Sequence, residues 1–494
     1  MKLPEHVETL IVGAGFAGMG LAARMLRDDP TADIVLIERG ASVGGTWRDN
    51  TYPGCACDVP TALYSYSFAP SPDWSHTFAR QPEIYAYLEK VAADTGIDHR
   101  VVLNCELEEA VWDGDLTLWH IQTSNGSLTA KVLVAATGAL STPNIPDLPG
   151  LGKFSGTTFH SATWNHEHEL SGERVAVVGT GASAVQFVPE IADPAAHVTV
   201  FQRTPAWVIP RTDRALPSVQ KALYAKIPAT QKAVRGAVYG FREALGAAMS
   251  HATWVLPAFE KVARLHLYRQ VRDPELRRKL TPDFTIGCKR MLLSNDWLRT
   301  LDRDDVSLVD QGVVSVTEDG VVDAAGNEHA VDTIIFATGF TPAEPPVAHL
   351  VTGVRGETLA THWAGSPSAY KGTSVNGFPN LFLMYGPNTN LGHSSIVYML
   401  ESQAEYVNAA LHTMRREGID VVEVEDSAVS QYNRYVQHEM LHTVWSKGGC
   451  SSWYIDSQGR NSVQWPTFTW RYRSLLKRFD RENYKTRAAT GVRV

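Results

Sequence analysis

The order strand, glycine turn, helix occurs twice in this chain, and it constrains the fold more than any other feature. Val7–Val12 reads as a short buried strand, followed by Gly13, Ala14, Gly15, Phe16, Ala17 and Gly18 and then by helical residues from Met19 to Leu26. In such a turn Gly13 permits the tight bend, Gly15 lets backbone approach a pyrophosphate, and Gly18 lets the helix pack on the strand. Phosphate oxygens then face free N–H groups at the positive end of a helix. The next strand, Ile34–Ile37, ends in Glu38, 20 residues after Gly18, where a carboxylate can accept hydrogen bonds from a ribose diol.

The second occurrence starts at the strand Arg174–Val178, turns through Gly179, Thr180, Gly181, Ala182, Ser183 and Ala184, and continues as a helix over Val185–Ile191. Ala184 replaces the third glycine, which is tolerated where helix meets strand. The following strand, His197–Phe201, ends in Gln202, Arg203 and Thr204 instead of an acid. An acid there would repel a 2'-phosphate, whereas Arg203 can hold one through a bidentate charge-assisted pair and Thr204 can add a hydroxyl. The second site is therefore expected to take NADPH in preference to NADH, and the first to take FAD.

Two dinucleotide sites imply electron transfer between two cofactors. Val132–Gly138 and Thr333–Gly339 are both apolar strands ending in Ala-Thr-Gly, and each resembles the strand that closes a nucleotide domain in two-dinucleotide flavoproteins. The expected fold is α/β, with two Rossmann-like domains and the NADPH domain inserted in the FAD domain. The expected boundaries are 1–150 and 341–494 for the FAD domain and 151–340 for the NADPH domain, with a helical insertion at about 212–290. Within that insertion Leu216–Leu280 lacks strand alternation and places Val219, Leu223 and Ile227 at helical spacing.

Composition narrows the function. The 494 residues carry 45 Lys and Arg against 53 Asp and Glu, a net charge of -8, with no basic run suited to a phosphate backbone. Nucleic acid is not an expected partner. Neither a signal-like start nor a run of about 18 apolar residues is present, so a cytoplasmic protein without membrane association is expected. Cys55, Cys57, Cys105, Cys288 and Cys450 show no metal-ligand or redox spacing and read as free thiols, Cys288 as a packing thiol. His166, Glu167, His168 and Glu169 read as a solvated loop, since i,i+2 imidazoles suit no metal box, and no metal site is expected.

Disulfide reductases of this general plan carry a C-x4-C pair after the second strand. This chain instead reads Gly44-Gly45-Thr46-Trp47 and continues Arg48-Asp49-Asn50-Thr51-Tyr52-Pro53-Gly54-Cys55-Ala56-Cys57-Asp58. That stretch resembles, position by position, the G-G-x-W-x4-(F/Y)-P-G-x3-D signature of type I Baeyer-Villiger monooxygenases. The segment Phe154-Ser155-Gly156-Thr157-Thr158-Phe159-His160-Ser161-Ala162-Thr163-Trp164-Asn165 resembles the family's F-x-G-x3-H-x3-W-(P/D) fingerprint except at Asn165. Trp164 favours this branch over N- and S-hydroxylating flavin monooxygenases, the alternative reading.

The resemblance covers nearly the whole chain and implies an FAD- and NADPH-dependent enzyme that uses O2 to convert ketones to esters or lactones through a C4a-peroxyflavin, with sulfoxidation beside it. It places Arg39, Gly45, Thr46, Trp47 and Tyr64 with the glycine turn around the flavin, and Lys289 at the 2'-phosphate. Arg290 is then the group that stabilises developing negative charge, and Asp58 directs it. His160 and Trp164 are assigned to coupling cofactor binding with domain closure. The helical insertion is placed beside the substrate entrance.

Overall fold

The computed structural model describes residues 1–340 and 345–488. These form two main sheets. The larger has the strand order Val351–Thr352, Leu107–Asp113, Leu118–Thr123, Gly126–Ala135, His6–Val12, Ile34–Glu38 and Val101–Leu103, with Leu381–Leu383 added beside Gly126–Ala135. Its central strands are parallel and its antiparallel pairs lie to one side. The smaller is parallel throughout, in the order Val306–Val309, His197–Phe201, Arg174–Val178, Thr333–Phe336 and Thr157–His160. In chain order the smaller sheet lies between strands of the larger, which is the nested two-domain arrangement.

Parallel strands covered on both faces read as continuous apolar runs, and these do. Two apolar clusters cover the two faces of the larger sheet, and two more cover the smaller. In each sheet the strand entering the glycine turn sits where the connections diverge, so its carboxyl end opens a crevice. The Ala-Thr-Gly repeat has a steric role there. A Cβ on Gly13 would lie 2.6 Å from the carbonyl oxygen of Ala136, and one on Gly179 would lie 2.6 Å from that of Ala337. The closing strand of each unit is thus pressed against the first glycine of its turn.

Helices Ser218–Lys226, Pro228–Ser250, Leu256–Gln270 and Pro274–Lys279 make up the insertion. Val219, Leu223 and Ile227 do not face inward: they are 81%, 42% and 50% exposed. The first insertion helix meets the body through polar groups instead, with Lys221 Nζ donating to the Asp73 carbonyl at 3.1 Å, and it buries Tyr224. Helix Pro228–Ser250 is anchored by Arg235, which donates to the carbonyls of Ala62 and Ser65, both at 3.0 Å. Among the described residues no helix is long and apolar enough to cross a membrane.

One reading of the sequence is corrected. Cys288 is not a free packing thiol but is disulfide-bonded to Cys450, 162 positions away, while Cys55, Cys57 and Cys105 are free and buried. Packing brings the two segments together, with the Thr285 N–H donating to the Gly448 carbonyl at 2.9 Å. The His166–Glu169 segment is an exposed loop as expected, and two of its rings are hydrogen-bonded. The His166 ring meets Thr51 Oγ1 at 2.7 Å, and His168 Nε2 meets Thr333 Oγ1 at 2.8 Å and Glu173 at 3.0 Å.

Candidate active site

The first crevice has a floor of bare backbone. Gly15 caps helix Phe16–Asp28 without a side-chain hydrogen bond, leaving N–H groups of the first turn free for an anion. A second pair, Gly44 and Gly45, holds positive φ, and a Cβ on Gly45 would come within 3.1 Å of Gly15 Cα. Two glycine turns therefore meet with only main chain between them. Phe16 begins the helix with its ring 5.1 Å from that of Tyr64, and Trp47 Nε1 donates to the Tyr64 hydroxyl at 3.0 Å. Ala17 and Gly18 are buried beneath them, and Thr46 opens the short helix that carries Trp47.

At the end of the second strand Glu38 accepts from the Ala14 N–H and the Gly40 N–H, both at 2.9 Å, and from Arg48 at 2.7 Å. Its carboxylate braces the glycine turn as well as facing the position expected for a ribose. Arg39 donates to the Ser141 carbonyl at 2.7 Å, in the segment that follows Gly138. Arg48 is a member of this group that the sequence reading missed. Its position after Gly44-Gly45-Thr46-Trp47 carried no sign that it would fold back onto Glu38.

The second crevice repeats the design. Gly181 caps helix Ala182–Ile191 without a side-chain bond, Ser183 meets Ser161 Oγ at 3.3 Å, and Ala184 is fully buried. Thr180 Oγ1 donates to the Thr204 carbonyl at 3.4 Å, tying the turn to the loop that carries Arg203. Arg203 is exposed and lies close enough to Lys289 to act on its ionisation. Burial, and then the charge of Arg203, hold the Lys289 ammonium below its usual range, against the opposing pull of Asp283. Two like charges held together in this way suit a doubly charged phosphate.

Between the crevices stands Arg290. Its guanidinium donates from Nε to Asp58 at 2.8 Å and from Nη2 at 2.6 Å, a two-pronged pair. Burial opposes ionisation of Asp58, but the adjacent guanidinium outweighs it and holds the carboxyl below the usual carboxylate range. Asp58 in turn raises the Arg290 pKa, so the cation is permanent. About half of the Arg290 side chain is accessible, as expected for a group that lines a cleft. Helix Pro228–Ser250 adds Arg242, which donates to the Asp58 carbonyl at 3.2 Å. That contact was missed because a helical arginine carries no sign of what it will meet. Burial pushes the Tyr454 phenol up to about 12 against the pull of Arg290, so it stays protonated at neutral pH.

The two signature segments are bridged by helix Ala182–Ile191 of the second glycine turn. Gln186 Oε1 accepts from the Tyr52 hydroxyl at 3.1 Å and the Ala56 N–H at 3.2 Å, and Gln186 Nε2 donates to the Ala56 carbonyl at 3.0 Å. Gly54 makes this approach possible, since a Cβ there would lie 2.7 Å from the Gln186 carbonyl oxygen. Trp164 packs on Phe159 and Phe187, and Phe187 reaches Tyr52. His160 is buried at the end of its strand, where Nδ1 accepts from the Ala162 N–H at 3.0 Å and burial lowers its pKa, so it is neutral at pH 7.

The C-terminal segment completes the first crevice. Thr137, Gly138, Tyr385, Gly386, Asn390 and Ser462 line a cavity of about 50 Å3 at the carboxyl ends of the larger sheet. Nearby, Asn388 Oδ1, Asn461 Nδ2 and Ser462 Oγ are buried without hydrogen-bond partners. Buried polar atoms are rarely left unpaired, and these three fit a polar ring edge such as a flavin presents. The bare glycine cradle fits its pyrophosphate.

The pyridine nucleotide-disulphide oxidoreductase family model matches residues 10–235, although this chain has no C-x4-C pair after its second strand. A Baeyer-Villiger monooxygenase of Pseudomonas aeruginosa is 45% identical over 97% of this chain and 91% of its own length. A crystal structure of cyclohexanone monooxygenase from Rhodococcus bound to NADP+ superposes with a TM-score of 0.86 at 27% identity, covering 99% of this chain and 100% of that one. The structure of OTEMO in complex with FAD and NADP also superposes at 0.86, with 26% identity over 97% of this chain and 99% of that one. With a relative of that name matching nearly end to end, and with its fold shared over whole chains, this protein belongs to the Baeyer-Villiger monooxygenase family.

Proposed function

We propose that this protein binds FAD and NADPH and catalyses ketone + O2 + NADPH + H+ → ester or lactone + NADP+ + H2O. The observation that carries the reading is the Arg290–Asp58 pair, a fixed permanent cation in a cleft between two dinucleotide crevices. FAD, when bound, supplies reducing equivalents from NADPH to O2 and the activated oxygen that follows. The chain supplies position and charge. A preorganised cation aimed at developing negative charge contributes several kcal/mol in a site that excludes water. Arg290 takes that role, and Asp58, with Arg242 behind it, keeps the guanidinium aimed.

FAD takes the first crevice, over Gly13, Gly15, Gly18, Gly45 and Trp47. NADPH takes the second, over Gly179–Ala184, with Arg203, Thr204 and Lys289 on the 2'-phosphate. Residues 1–150 and 341–494 then form the FAD domain and 151–340 the NADPH domain. Trp164 couples the two through the Phe187–Tyr52 contact, and His160 joins it from the end of the same signature's strand. Dependence on NADPH supports a cytoplasmic location, and a net charge of -8 gives no attraction to nucleic acid.

The test is aerobic NADPH consumption by the FAD-loaded protein with cyclic, linear and aryl ketones and one thioether, with products identified by mass. Ester or lactone one oxygen heavier than the ketone supports the assignment. Sulfoxide alone, with every ketone untouched, would instead indicate an N- or S-hydroxylating enzyme.

A further inference from the structure

We propose that Cys288 and Cys450 form a reversible redox site that latches the Lys289–Arg290 segment to the segment carrying Tyr454. The inference rests on the placement of Lys289 and Arg290 at the cofactor cleft given above. Cys288 directly precedes those two cations and is bonded to Cys450. Four residues beyond Cys450 stands Tyr454, close enough to Arg290 for each to act on the other's ionisation. Apart from the bridge, the two segments touch through the Thr285 N–H to Gly448 carbonyl bond at 2.9 Å and through a hydrogen bond between the Arg290 backbone and the Tyr454 hydroxyl. They also touch where a Cβ on Gly448 would lie 2.7 Å from Cys288 Cβ. The bridge is therefore the one covalent link that fixes the cation pair relative to the Tyr454 segment.

Access to the two sulfurs is unequal. Cys288 is 1% exposed, whereas Cys450 is only partly buried, so a small thiol meets Cys450 first. The other cysteines do not compete: all three are buried, and burial pushes Cys55 up to about 11 and Cys57 higher still, keeping both as thiols.

For reduction, a thiolate of a small dithiol attacks Cys450 Sγ. The bridge breaks, and Cys288 leaves as a thiolate and takes a proton. The second thiol of the reductant then displaces Cys450, and the reductant departs as its own disulfide, having given up two electrons. For closure, the two thiols pass two electrons and two protons to hydrogen peroxide, giving the bridge and two waters. Hydrogen peroxide is what O2 becomes when it takes two electrons from NADPH and no ketone receives oxygen: O2 + NADPH + H+ → H2O2 + NADP+. An open latch that loosens the cations and leaks peroxide thus drives its own closure.

The experiment uses the full-length FAD-loaded protein, as purified in air and after dithiothreitol followed by desalting. Thiols titrated in denaturant should number three before reduction and five after. Reduction should raise KM for NADPH, read from flavin bleaching, and lower the ratio of ester formed to NADPH consumed. Each change is expected at about fivefold, the lower end of ordinary coupling between linked sites. Hydrogen peroxide should restore both. Cys450→Ser and Cys288→Ala should stay at the reduced values and ignore both reagents. Five thiols in the air-purified protein, or equal KM and ratio in the three-thiol and five-thiol forms of the wild type, would overturn the proposal. If no ketone is oxygenated the main reading fails, yet the thiol count and the NADPH KM still decide this one.

Discussion

The Tyr52 hydroxyl donates to Gln186 Oε1 at 3.1 Å, and that bond crosses from the flavin-side signature to the helix of the second glycine turn. Gln186 also clamps both polar groups of the Ala56 peptide. Gln186→Ala would leave the Ala56 N–H and carbonyl without these partners at a closed interface. Losing such partners costs about 1–3 kcal/mol. The expected outcome is a lower unfolding midpoint together with slower reduction of bound flavin by NADPH, checked by thermal melting and stopped-flow absorbance.

The two first glycines give a paired test. Gly13 and Gly179 hold φ of +106° and +108°, and each would drive a Cβ into a carbonyl oxygen of its closing strand. Gly13→Ala should yield protein that loses flavin on desalting. Gly179→Ala should keep its flavin and raise KM for NADPH by about tenfold or more. Flavin absorbance per mole of chain, with NADPH titration, distinguishes the two.

Lys289 predicts a pH effect on cofactor choice. Burial and Arg203 hold its pKa below the usual lysine range, and only the protonated form attracts the 2'-phosphate. The preference for NADPH over NADH should therefore fall as pH rises through a value below that range. Arg203→Ala removes the like charge and should shift this loss to higher pH, while lowering affinity for NADPH at neutral pH by about tenfold or more. Affinity for NADH should change little in either case.

Asp58 predicts an effect on the acid side. Its carboxyl ionises below the usual range because Arg290 outweighs burial. Its contribution to stability is complete above the unfolded value of about 3.9 and is lost as pH falls from there towards the folded value. Asp58→Asn should flatten the melting temperature against pH in that window. At neutral pH it should cost up to about 100-fold in ester formation, because Arg290 is then no longer aimed.

What the sequence made legible was local. Strand, glycine turn and helix follow one another without a gap at Val7–Leu26 and Arg174–Ile191, so their geometry is set by neighbours, and the structure places them as expected. Asp58 and Arg290, 232 positions apart, were paired through the resemblance and not through spacing. Contacts with neither kind of signal stayed hidden. Cys288 and Cys450 carry no motif, and only tertiary packing brings them together. Val219, Leu223 and Ile227 kept helical spacing, yet periodicity records only that residues share a face, and here that face meets solvent. Gln186 was the one hidden contact with a trace, a polar residue between the buried Val185 and Phe187.

The central claim is that the Arg290 cation serves oxygen transfer and not flavin reduction. The measurement is the rate of flavin bleaching by NADPH without oxygen, beside the yield of ester per NADPH in air, for the wild type and Arg290→Ala. Bleaching should change little while ester falls by about 100-fold or more, with peroxide released in its place. Ester formed by Arg290→Ala at the wild-type yield, or bleaching lost along with it, would contradict the account.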